Sequence, residues 1–210
     1  MKAAIDQFHL NMEYVRNLGA LRNNLDALTT VALDTSDISR VELVMAVSAL
    51  DHYIHEIVRI GMLEIYNKRR SETPSFLKFP VLLEGALQGI NLRDENWLDN
   101  EIRIRHGWRS FQRADKISEA IRLISNVKLW DEIAKNLETN SCDLTKRLNL
   151  IIDRRNKIAH EADMKPDSRI SPSSPNNRWD IDDGLVEEAI DFIVLIAEAI
   201  YKVISEDASP

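Results

Sequence analysis

Residues 41–66, VELVMAVSALDHYIHEIVRIGMLEIY, constrain the fold more than any other stretch of the chain. Their apolar side chains recur at helical spacing and cover nearly the whole circumference, so this segment reads as a helix enclosed by other elements. A helix of that kind needs partners on every side, and amphipathic helices elsewhere supply them. Phe8, Met12, Val15, Leu18, Leu21, Leu25 and Leu28 form a stripe on a first helix expected over residues 3–32. Leu185, Ala189, Phe192, Ile193, Ile196, Ile200 and Val203 form another on a last helix over 182–205. Thr35-Ser36-Asp37 offers N-cap chemistry for the central helix, which should run to Arg69 before Thr73-Pro74-Ser75 ends it. Further helices are expected over 76–90, 96–125, 129–138 and 143–162, and no segment alternates as a strand does. The expected class is all-α: a bundle of six to seven helices around one long central helix.

Six glycines and six prolines are too few for the turns of a many-stranded fold, which supports the same class. The 210 residues read as a single domain, 1–210, large enough to bury a core without staples. Within it, 164–180 (MKPDSRISPSSPNNRWD) reads as a flexible Pro-rich loop and 206–210 as a frayed tail. The lone cysteine, Cys142, rules out an intrachain disulfide. The first residues lack the apolar centre of a signal peptide and no run is long enough to span a bilayer, so a cytoplasmic protein with no membrane partner is expected. A formal net charge of -7 argues against coating nucleic acid by bulk electrostatics but leaves room for a local basic patch.

Chemistry concentrates in LNLIIDRRNKIAHEAD, residues 148–163. On a helix, Leu148, Ile151, Ile152, Arg155, Ile158 and Ala159 share one stripe, which turns the Arg155 guanidinium towards the core side. That placement is costly unless the group is paired or faces a polar cleft. Asn156 and His160, four apart, stack on the adjacent edge, and Arg154 and Lys157 add positive charge. A structural account stands beside the functional one: a histidine in a last turn can simply complement the helix dipole, and a half-buried arginine can simply pair with a carboxylate. A second set, Arg105, Arg109, Arg113 and Lys116 with Trp108 and Phe111 nearby, would share one face if helical. It would then suit a phosphate backbone with an aromatic stacked on a base, or else be a solvated, ion-paired face. No His, Cys, Asp or Glu cluster has metal-ligand spacing, so neither metal nor cofactor is expected.

RRNKIAHEAD resembles the Arg-(x)4–6-His motif of HEPN domains, including the polar residue after the arginine, and resembles the RiboL-PSP-HEPN group most. SALDHYIHEIV in the second helix, FQRADKISEAI at 111–121, LWDEIAKNL at 129–137 and the Pro-rich loop before the last helix resemble that group in the same order. The resemblance implies a HEPN-type bundle that dimerises about a two-fold axis, so that both protomers' motifs line one composite cleft. It implies an endoribonuclease in a toxin–antitoxin, anti-phage or other stress response, with RNA as substrate and an antitoxin or regulatory protein as partner. The alternative within the same superfamily is a non-catalytic module binding RNA, a nucleotide or a partner protein. On the catalytic reading, Arg155 stabilises the phosphorane, His160 moves protons, and Asn156 orients His160 or holds a phosphate oxygen. Asp51, on the central helix, is then expected to orient Arg155 or His160 from across the bundle. Some HEPN toxins carry a modifiable tyrosine two residues beyond the motif histidine; here Ala162 stands there, so an antitoxin would have to act by another route.

Overall fold

A computed structural model describes residues 1–29, 33–92, 95–165 and 178–207. The order is α1 (Lys2–Leu28), α2 (Ser36–Tyr66), a 3-10 turn (Phe76–Lys78), α3 (Leu83–Leu92), α4 (Asn96–His106), α5 (Ala114–Ile121), α6 (Leu129–Asn136), α7 (Ser141–Glu161) and α8 (Asp183–Glu206). Among the described residues there are eight α-helices and no strand, only an isolated bridge between Met164 and Arg178. The protein is all-α. It exceeds the six to seven helices expected because residues 96–125 form two helices, broken after His106 at Gly107, where helix propensity is low. Most of the expected flexible loop (166–177) and of the expected frayed tail (208–210) lies outside the described residues.

The long α2 is enclosed as its composition demands. Leu43, Val47, Leu50, Ile54, Ile57, Val58 and Met62 are buried, and α1, α4, α5, α7 and α8 all pack on it. Its start differs in detail from the expected cap. The Thr35 hydroxyl donates to Asp26 Oδ1 at 2.7 Å, and Asp34 Oδ1 accepts from the Ser36 N–H at 2.9 Å instead.

The buried stripe of α1 also departs from expectation beyond Val15. Phe8, Met12 and Val15 are in the core, but Gly19 and Arg22 continue the inward face while Leu21 is exposed and Leu28 is 83% exposed. Arg22 is only 1% exposed; it donates to Ser39 Oγ at 3.0 Å and Glu42 Oε2 at 2.9 Å. Burial pushes the Glu42 carboxyl above its usual range, and Arg22 pulls it back in part. A Cβ at Gly19 would come within 2.5 Å of Glu42 Oε1, so a larger residue there would push the Glu42 carboxylate from its place beside Arg22. At the far end, Leu185 is exposed and Val186, Ile190, Ile193 and Ile196 make the inner face of α8. No helix among the described residues is long and apolar enough to cross a membrane.

Candidate active site

The site is built on α7. Asn140 caps its start, accepting from the Cys142 N–H at 2.7 Å, and Leu144, Leu148 and Ile152 bury its inner edge. One turn beyond Ile152 the inner edge becomes polar. Arg155 is half-buried; its Nη1 donates to Asn156 Oδ1 at 3.1 Å, while its buried Nε has no partner among the described residues. His160, in the last turn, is exposed.

The facing wall comes from the non-helical residues 107–113 between α4 and α5. Leaving a helix frees backbone groups that must find partners, and α2 provides them. Asp51 accepts from the Phe111 N–H at 2.6 Å and from Gln112 Nε2 at 2.9 Å, and His55 Nε2 donates to the Arg109 carbonyl at 3.2 Å. The buried Phe111 ring anchors the segment. Helix α7 holds its other end: Asn149 Oδ1 accepts from the Ala114 N–H at 3.1 Å, and Asp153 pairs with Arg113 at 2.5 Å. Ser110, Gln112, Arg113 and Lys116 thereby come opposite Arg155, Asn156 and His160. Together with Ile152 they line one cleft of about 380 Å³, within the roughly 300–1,000 Å³ typical of ligand sites.

Sequence and structure part company over the supporting residues. Asp51 contacts neither Arg155 nor His160: both its oxygens are engaged by Phe111 and Gln112, so it reaches the cleft only through the wall it holds. Arg154 turns away and grips Asp163 with both terminal nitrogens, so its charge is neutralised outside the cleft. Lys157 is exposed with its ammonium 5.6 Å from the Trp179 ring centroid, also outside it. The four cations do not share a helical face, because the chain is non-helical between Gly107 and Arg113. Arg113 and Lys116 reach the cleft; Arg105 and Arg109 line an adjoining groove. Of the two aromatics Phe111 is buried and Trp108 exposed.

Ser110 and Gln112 escaped the sequence reading because a non-helical segment has no periodicity to read. Their only signal was position: Gln112 stands beside Arg113 in a block already singled out, FQRADK, and Ser110 directly precedes that block. His106 is buried against Phe79 and Phe111, and its pKa is lowered to about 4, chiefly by burial and then by the neighbouring charges of His55 and Arg109. It is a neutral aromatic filler at pH 7. Cys142 is exposed and unbonded. No group of three or more His, Cys, Asp or Glu among the described residues could hold a metal ion.

A profile of the family described as RiboL-PSP-HEPN matches residues 13–206 of the chain. No curated protein and no solved structure matches it.

Proposed function

The chain belongs to the RiboL-PSP-HEPN family, and from that membership and the geometry of the α7 cleft we propose that it is a metal-independent endoribonuclease acting as a homodimer. The observation that carries this reading is the meeting of Arg155, Asn156 and His160 with Gln112, Arg113 and Lys116 around one cleft. RNA brings its own nucleophile, the 2′-hydroxyl. A base takes the 2′-OH proton, the oxygen attacks phosphorus in line, the bond from phosphorus to the 5′-oxygen breaks, and an acid protonates the leaving oxygen. Imidazole titrates in the range suited to either role. Arg155 offers a planar, permanently charged donor set to the phosphoryl oxygens where charge develops. Lys116 adds a cation whose protonation Glu119 favours, and Asn156 positions Arg155, whose guanidinium it already meets.

Two-fold pairing would set a second His160 across the cleft, so that one acts as base and the other as acid. The products are then a 2′,3′-cyclic phosphate and a 5′-hydroxyl. The setting proposed is a toxin–antitoxin, anti-phage or stress response in the cytoplasm, with an antitoxin or other protein restraining the enzyme.

Incubating the wild-type and His160→Ala chains with a structured RNA in EDTA tests this reading, with DNA as control. The expected result is RNA cleavage by wild type alone. Full activity of the variant removes His160 from the mechanism. One observation favours the second reading, a non-catalytic module for RNA, a nucleotide or a partner protein: among the described residues nothing hydrogen-bonds the His160 imidazole to hold it in a working orientation. Inactive wild type that still binds RNA would establish that module.

A further inference from the structure

The α7 cleft does not end at Lys116. Ser110 and Lys116 also line a second hollow with Arg109, and Arg109 and Glu119 continue into a third, a groove of about 430 Å³ that includes Trp108 and Lys78. The three adjoin through shared walls and run along the segment that Asp51 and His55 hold in place. Trp108 stands in the outermost with 91% of its surface exposed, an indole that the core does not use.

The charges along this path are unevenly spent. Lys116 is bonded to Glu119 at 2.9 Å, and Arg105 lies 3.9 Å from Glu101. Arg109 and Lys78, which line the groove together with Trp108, have no ionic partner among the described residues. Unspent cations attract phosphates, and an exposed indole offers a face on which any base can stack. Duplex RNA keeps its bases stacked inward and is recognised mainly by shape, so a projecting tryptophan suits unpaired nucleotides.

We propose that the groove from Trp108 to Lys116 is a binding track for single-stranded RNA, with Trp108 stacking a base and Arg109 and Lys78 holding phosphates on one side of the scissile bond. The proposal gives the substrate of the α7 cleft a strandedness and a direction of approach. It rests on the ribonuclease reading for its purpose, but its test does not depend on cleavage.

Binding of a fluorescent, unstructured RNA of about twelve nucleotides is measured by anisotropy with the His160→Ala chain in EDTA. Adding Trp108→Ala should weaken binding about tenfold, the loss of one stacked base, and Trp108→Phe should restore most of it. Replacing both Arg109 and Lys78 by Gln should reduce the slope of log Kd against log salt by about 1.4, since each phosphate contact on a single strand contributes about 0.7. Unchanged affinity on Trp108→Ala overturns the proposal. So does an equal loss on a perfect RNA duplex, or Trp108-dependent binding to anionic phosphatidylserine vesicles with none to RNA. Circular dichroism melts of the variants should superimpose, because an exposed side chain is removed; a large fall in melting temperature would also count against the assignment.

Discussion

Two and three residues beyond His160 the backbone turns left-handed, at Ala162 and Asp163 with φ of 49° and 59°, and the Asp163 N–H closes the end of α7 by donating to the Lys157 carbonyl at 3.0 Å. The Asp163 side chain is fully buried, and its oxygens receive Arg40 Nε at 2.8 Å and the Arg154 guanidinium. Its carbonyl also accepts from the Trp179 N–H at 2.9 Å, tying in the returning chain. One residue therefore joins α2 and the motif helix through its carboxylate and the start of the last segment through its backbone carbonyl. Removing it takes the shared carboxylate from the buried Arg40 and the part-exposed Arg154, which keep only neutral acceptors on Ser36, Trp179 and Asp180 and the exposed Asp37, a loss towards the lower end of the roughly 3–5 kcal/mol for breaking a buried pair. Asp163→Ala should lower the urea midpoint accordingly, whereas a surface ion pair such as Lys2–Asp6 can be removed at a cost of about 0–1 kcal/mol. A stability unchanged by Asp163→Ala would show that the two arginines find other partners. The same network shows Arg154 fixing the end of the helix that carries His160, outside the cleft.

At the scale of elements, the cleft is α7 on one side and a stretch without secondary structure on the other, and α2 makes that stretch rigid. Asp51 and His55, one turn apart, present acceptor and donor to residues 109–112. The Phe111 N–H is the critical group, because an unsatisfied buried donor costs about 1–3 kcal/mol. Asp51→Ala should therefore raise hydrogen exchange at the Phe111 amide while the amides of α8 keep their protection, and it should reduce cleavage by displacing Gln112. Asp51→Asn, which keeps an acceptor oxygen, should retain protection at Phe111. Equal exchange at Phe111 in wild type and Asp51→Ala would show that Asp51 does not position the wall.

Across the whole molecule, the parts legible in the sequence are those governed by periodicity. The all-round apolar run of α2, the α1 stripe as far as Val15, the α8 stripe beyond Leu185 and the Leu148–Ile152–Arg155 edge of α7 follow from repeated spacing. What escaped depends on tertiary partners. Arg22 enters the core because Glu42 waits there; Arg154 is held outside the cleft because Asp163 binds it there; and Asp51 turns to a non-helical segment whose path no local rule predicts. The central element of the site, the meeting of Arg155, Asn156 and His160, was visible because one helix carries all three. The facing Gln112 and Ser110 were not, because another segment brings them. The most direct test of the central claim, that this cleft cleaves RNA through the substrate's own 2′-hydroxyl, uses an oligoribonucleotide mapped to one cleavage site and its twin with a single 2′-deoxy residue there. Wild type should cut only the first, leaving a 2′,3′-cyclic phosphate, and Arg155→Ala should cut it about 10²–10³-fold more slowly. Cleavage of both twins alike, or an undiminished rate with Arg155→Ala, would contradict it.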